Sequence, residues 1–144
     1  MCGIACFCNW KQDPQKNIEK MNQRMLHRGP DAGGTWMSED GKVVFGHRRL
    51  SIVDLSPNGA QPMSSASGRY VICFNGEIYN HRSISDKLKK EGKVASFRGT
   101  SDTEVLLEAF EHYGVEETIK QCKGMFAIAL YDKKKKNSGC FVTA

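Results

Sequence analysis

Met1-Cys2-Gly3-Ile4-Ala5-Cys6-Phe7-Cys8-Asn9-Trp10 opens the chain. Residues 3–8, GIACFC, are short, apolar and bounded by Asn9, and they read as a β-strand that starts almost at the terminus. Residues 16–27 carry Ile18, Met21, Met25 and Leu26 on a helical stripe that stops at HRGPD, where Gly29-Pro30 cannot continue a helix. Residues 34–38 and 42–47 read as a hairpin across Glu39-Asp40-Gly41. Residues 49–54, RLSIVD, read as another strand or strand end, followed by a long loop. Residues 69–74, RYVICF, are a β-branched and aromatic strand that is expected to break at Asn75-Gly76. Residues 81–91 and 101–113 read as helices, the second with Ser101 as N-cap and Glu104 in capping-box spacing. Residues 125–131, MFAIALY, are an apolar strand, and 140–143 start a partner for it. Mixed strands, helices and hairpins give an α+β class.

The 144 residues fit one domain with a core of its own, at 40% hydrophobic and 26% charged. No apolar run approaches the roughly 18 residues of a spanning helix. The N-terminal stretch lacks the basic region and long apolar core of a signal peptide. Neither membrane insertion nor secretion is expected, and a cytoplasmic location is. Of the net charge of +5, Lys133 to Lys136 supply four. A lysine run near a chain end reads as a solvated turn, and no nucleic-acid-binding pattern accompanies it. The six cysteines read as reduced thiols, and Cys6-x-Cys8 lacks the second half of a zinc site.

Cys2 is the most informative residue. Methionine aminopeptidases remove Met1 when the next side chain is small, which leaves Cys2 with a free α-amino group. The reference pKa is about 7.7–8.0 for the amine and about 8.5 for the thiol. The amine can therefore take the thiol proton and later return it to a leaving amine, so one residue is both nucleophile and base. Amide hydrolysis then needs three further parts. Asn75-Gly76 suits an oxyanion hole, through one side-chain amide and one backbone N–H. Arg28, Arg48 and Arg49 are candidates to hold a substrate carboxylate. Asp102 and Glu77 are candidates to hold a substrate ammonium. A site with both signs selects an α-amino acid.

Seven blocks carry a resemblance: CGIA at 2–5, HRGPDAGG at 27–34, GHRRLSIVDLS at 46–56, GAQPM at 59–63, NGEIYN at 75–80, GTSDTEVLL at 99–107 and GMFAIALYD at 124–132. In this order, over nearly the whole chain, they resemble the class II glutamine amidotransferase domain, and most closely the glutaminase half of glutamine-hydrolysing asparagine synthetase. The resemblance implies an N-terminal-nucleophile (Ntn) hydrolase fold, a four-layer αββα sandwich with two antiparallel sheets. It implies hydrolysis of glutamine to glutamate and ammonia. Cys2 is then the nucleophile, and Asn75 with Gly76 the oxyanion hole. Arg49 grips the α-carboxylate, with Leu50, Ser51, Ile52 and Val53 lining the site. Glu77 and Asp102 meet the α-amino group. The HRGPDAGG block, with His27 and Arg28, shapes a loop over the site. Cys6 stands where the family motif has glycine, which could crowd the nucleophile.

The resemblance implies no cofactor and no metal for the glutaminase step. ATP and Mg²⁺ belong to a synthetase domain whose SGGxDS loop is not in this sequence. The chain is expected to be a glutaminase domain truncated at its C-terminal end. A synthetase domain or partner chain would then accept the ammonia for amidation of aspartate. A homodimer is possible, and no nucleic acid or membrane partner is expected. The alternative is a non-catalytic relic that binds glutamine or a partner.

Overall fold

The computed structural model describes residues 2–10, 12–51 and 56–142. Its elements are β1 (Gly3–Cys8), α1 (Pro14–Arg24), β2 (Ala32–Met37), β3 (Val43–Arg49), β4 (Met63–Ser64), β5 (Tyr70–Ile78), α2 (His81–Lys90), α3 (Asp102–Tyr113), α4 (Val115–Gln121), β6 (Gly124–Asp132) and β7 (Asn137–Val142). They form two antiparallel sheets, one ordered β1-β3-β2 and the other β4-β5-β6-β7.

Strand alternation builds the layers, because successive side chains point to opposite faces. In β3, Val43 and Phe45 face the second sheet and meet Val71, Cys73, Ala129 and Tyr131 there. Trp36 packs between them, with ring centroids 5.4 Å from Phe45 and 5.1 Å from Tyr131. Val44 faces the other way, towards Ile18 of α1. On the far face of the second sheet, Ile72, Phe74, Ile78, Phe126 and Ile128 pack against Leu88 of α2 and Leu106, Leu107 and Phe110 of α3. The order is therefore helix, sheet, sheet, helices, the expected four-layer α+β sandwich.

Several boundaries differ from expectation. The strand at 69–74 does not break at Asn75-Gly76 but runs on to Ile78. Gly76 permits this: its φ is +147°, and a Cβ there would fall on the carbonyl oxygen of Met125 and 2.5 Å from Cα of Phe126. Only glycine lets β5 run this close to β6. α1 starts at Pro14, capped by Asp13, and ends at Arg24, short of the stripe reading. Of that stripe only Ile18 is fully buried, while Met21 and Leu26 are 40% and 41% exposed. The helix sits over Gly46 through Ile18 and Asn22, and the Asn22 amide donates to the Gly34 carbonyl at 2.9 Å. α4 and the two-residue β4 carry too little periodicity to be read from sequence. Cys6 is exposed on β1, four residues or about 13 Å along the strand from Cys2. It leaves Cys2 uncrowded. No described helix is long and apolar enough to cross a membrane.

Ile18→Ala is expected to cost about 2–5 kcal/mol, through lost burial and the cavity left between α1 and β3. Met21→Ala on the outer face should stay within about 0.5 kcal/mol. Urea unfolding of the two variants measures the contrast.

Candidate active site

β1 and β3 run antiparallel with Gly3 opposite Arg48, so β1 begins where β3 ends. Cys2 lies one step outside the ladder, half-buried beside Leu50. The Leu50 N–H donates to its sulfur at 3.4 Å, and the thiol donates to the Leu50 carbonyl at 3.6 Å. The Arg28 Nε donates to the Cys2 carbonyl at 3.1 Å. The proposed nucleophile is thus held from both sides by the blocks at 27–34 and 46–56.

Those two blocks also hold each other. Arg48 donates to the carbonyls of Gly29 at 2.9 Å and Pro30 at 3.2 Å. The Asp31 N–H donates to the Arg49 carbonyl at 3.1 Å, and the Asp31 carboxylate accepts the Ser51 N–H at 2.7 Å. Gly29 is buried against the Arg48–Arg49 peptide, where a Cβ would collide with backbone. Arg48 therefore ties down a loop. Arg49 is half-buried and donates from Nη1 to the Ser56 carbonyl at 3.0 Å. Leu50 and Ser51 line this end of β3, while Ile52 and Val53 lie outside the described residues.

Asn75 and Gly76 come from the second sheet. Along β5, the N–H and C=O groups of even-numbered residues point away from β6, towards the β4 edge. The Phe74 N–H donates to Gln61 Oε1 at 2.6 Å, and the Phe74 carbonyl accepts from His47 Nε2 at 3.1 Å. Further along, the Ile78 N–H donates to Asp102 at 3.0 Å. The Gly76 N–H falls between these points on the same edge. His47 is on β3, opposite Ile4 and three residues before Leu50, so it links the Cys2 end of one sheet to the Asn75 end of the other. Glu77 is exposed next to Ile78, which brings it to the Asp102 corner.

Two buried titratable groups stand here. A carbonyl only accepts, so the neutral His47 ring carries its proton on Nε2. Burial, with Arg49 and Arg48 nearby, holds its pKa down at about 4, although the Phe74 contact opposes this. Burial raises the Asp102 pKa, and the Glu77 charge adds to this. The Ile78 and Thr103 N–H groups and His81 pull the other way. Among the described residues, no group of three His, Cys, Asp or Glu is arranged to hold a metal ion.

A family model described as a glutamine amidotransferase domain matches residues 1–141. The chain belongs to that family, in its class II branch. An asparagine synthetase (glutamine-hydrolysing) of Bacillus subtilis is 45% identical over 92% of this chain and 21% of its own length. Asparagine synthetase B of Escherichia coli is 37% identical over 94% of the chain and 24% of its own length. Amidase chry2 of Gibberella zeae is 35% identical over 94% and 21%. The amidotransferase domain therefore spans about a fifth to a quarter of these curated relatives. A solved glutamine phosphoribosylpyrophosphate amidotransferase of Bacillus subtilis superposes with a TM-score of 0.73 over 92% of this chain and 35% of that one, at 18% identity. The shared fold is that of the Ntn hydrolases.

The fold of this amidotransferase domain gathers Cys2, Arg49, Leu50, Ser51, Asn75, Gly76, Glu77 and Asp102 at one end of the two sheets. Sequence reasoning missed His47, Gln61 and Asp31, which hold that end together. The period-2 pattern Val43-Phe45-His47 is the signal that could have placed His47 between the sheets.

Neutral His47 makes the domain acid-sensitive. Below its ordinary 6.5 the unfolded chain takes up a proton that the folded ring refuses until about 4. Stability should fall by on the order of 3 kcal/mol as pH drops through that window. His47→Gln, which cannot titrate, should lose that much less between pH 7 and 4.5 in urea unfolding. Equal losses would contradict the assignment.

Proposed function

We propose that this domain hydrolyses glutamine to glutamate and ammonia with Cys2 as an N-terminal nucleophile. The observation that carries the reading is the seating of the Cys2 sulfur on Leu50, beside Arg49 and across the sheets from Asn75-Gly76. With Met1 removed, the Cys2 amine takes the thiol proton. The thiolate attacks the side-chain amide carbon of glutamine. The Asn75 amide and the Gly76 N–H receive the oxyanion that forms only in the transition state and intermediate. The amine then gives its proton to the departing ammonia, and water hydrolyses the γ-glutamyl thioester. Arg49 binds the substrate α-carboxylate, Asp102 and Glu77 the α-amino group, and the 50–53 stretch lines the site.

The glutaminase step needs no cofactor. The ammonia serves an asparagine-synthetase-type amidation of aspartate, with ATP and Mg²⁺ acting in a synthetase domain outside this chain. That acceptor is supported by relatives that are glutamine-hydrolysing asparagine synthetases four to five times longer than the region matched.

The Met-processed chain should release glutamate from glutamine. Cys2→Ala should reduce the rate to background, a loss of about 10³-fold or more. Wild-type protein with a free Cys2 amine that releases no more glutamate than Cys2→Ala would leave only a binding module. Asn75→Ala should lower kcat about 10²–10³-fold with little change in KM. Arg49→Ala should raise KM by about tenfold or more, through loss of a charge-assisted contact. Steady-state kinetics separates the two.

A further inference from the structure

β5 loses its backbone neighbour just before the oxyanion pair. The β4–β5 ladder sets Met63 opposite Ile72, and continuing that register would bring Pro62 to Cys73 and Gln61 to Phe74. The ladder stops at Met63, and β4 does not extend to these residues. The peptide groups of Phe74 on that edge are completed by side chains instead. Gln61 Oε1 accepts the N–H at 2.6 Å, and His47 Nε2 donates to the carbonyl at 3.1 Å. Gln61 Nε2 also reaches Thr103 Oγ1 at 3.5 Å, next to Asp102. His47 is fully buried and projects from the strand that holds the Cys2 sulfur three residues later. Two side chains thus do what a strand would do, and they leave the edge open two residues further on, at Gly76.

We propose that His47 and Gln61 are positioning residues for the oxyanion hole. Together they clamp the Phe74 peptide groups, so that the Asn75 amide and the Gly76 N–H keep their aim towards Cys2. This rests on the glutaminase reading above. Neither residue touches substrate. Their effect passes through a group that binds charge only in the transition state, so it falls on kcat and spares KM.

Glutamine amides of different length separate this role from simple packing. In His47→Gln the side-chain N–H₂ can reach the place of Nε2, whereas in His47→Asn it reaches only the place of Nδ1. His47→Asn and Gln61→Met should each lower kcat for glutamate release by about tenfold or more, with KM within about threefold. His47→Gln should regain most of the rate. Backbone and side-chain amide NMR shifts of Gly76 and Asn75 should move in the first two variants and return in the third. Unchanged kcat in His47→Asn and Gln61→Met overturns the proposal. So does equal damage in His47→Gln and His47→Asn with kcat and KM both affected. If mature wild type releases no glutamate, the glutaminase reading fails, and the NMR shifts alone decide the positioning. Shifts moved by His47→Asn and restored by His47→Gln support it, and unmoved shifts overturn it.

Discussion

Gly3 of β1 lies opposite Arg48 of β3, and that register decides where the sulfur of Cys2 goes. A slip of one residue would turn every side chain of β1 to the other face. Ile4 would leave the space between the sheets, and Ala5 would leave the face packed by Ile18. Burial on both faces of β1 thus pins the N-terminus, and the hydrogen bonds to Leu50 and Arg28 finish the placement. Residues this close to a chain end are usually among the least ordered. Here Cys2 is seated against the backbone just past the strand that supplies Arg49.

The opposite sheet reaches the same point by a different device. Its strand β5 is held on one side by β6 along its whole length, and on the other by β4 for only two residues. Beyond β4 the edge is finished by Gln61, His47 and Asp102, each taking one backbone group. A full strand there would have occupied the edge at Gly76. Polar side chains close the ladder locally, and under the proposed function that position is left to the oxyanion of the substrate. The cost is two buried titratable groups, His47 kept neutral and Asp102 with its carboxyl raised above its usual range.

Much of this was legible in the sequence because it rests on local rules. The β1, β3 and β6 strands follow from short apolar runs, and Ser101 caps α3 as its type suggests, accepting the Thr103 N–H at 3.1 Å. Glu104 does not behave as a simple capping-box partner, since its carboxylate binds the Arg98 and Gly99 N–H groups and shapes the preceding loop. Asn75-Gly76 misled as a turn signal: the pair looks like a break, yet the glycine serves a close strand approach. The choice among Arg28, Arg48 and Arg49 was not legible from spacing, because what separates them is long-range. Arg48 is spent on two carbonyls of a loop about twenty residues earlier. The bonds of His47 and Gln61 to Phe74 were not legible for the same reason: each reaches a strand from another part of the chain.

In the proposed reaction Cys2, with its own amine, attacks glutamine at this corner. The most direct measurement is peptide mapping by mass spectrometry after treating the mature protein with a glutamine analogue that carries an electrophilic ketone in place of the amide. One adduct is expected, on Cys2, suppressed by excess glutamine and by blocking the α-amine. An adduct on Cys6 or Cys122, or equal labelling of Cys2 with its amine blocked, would contradict it.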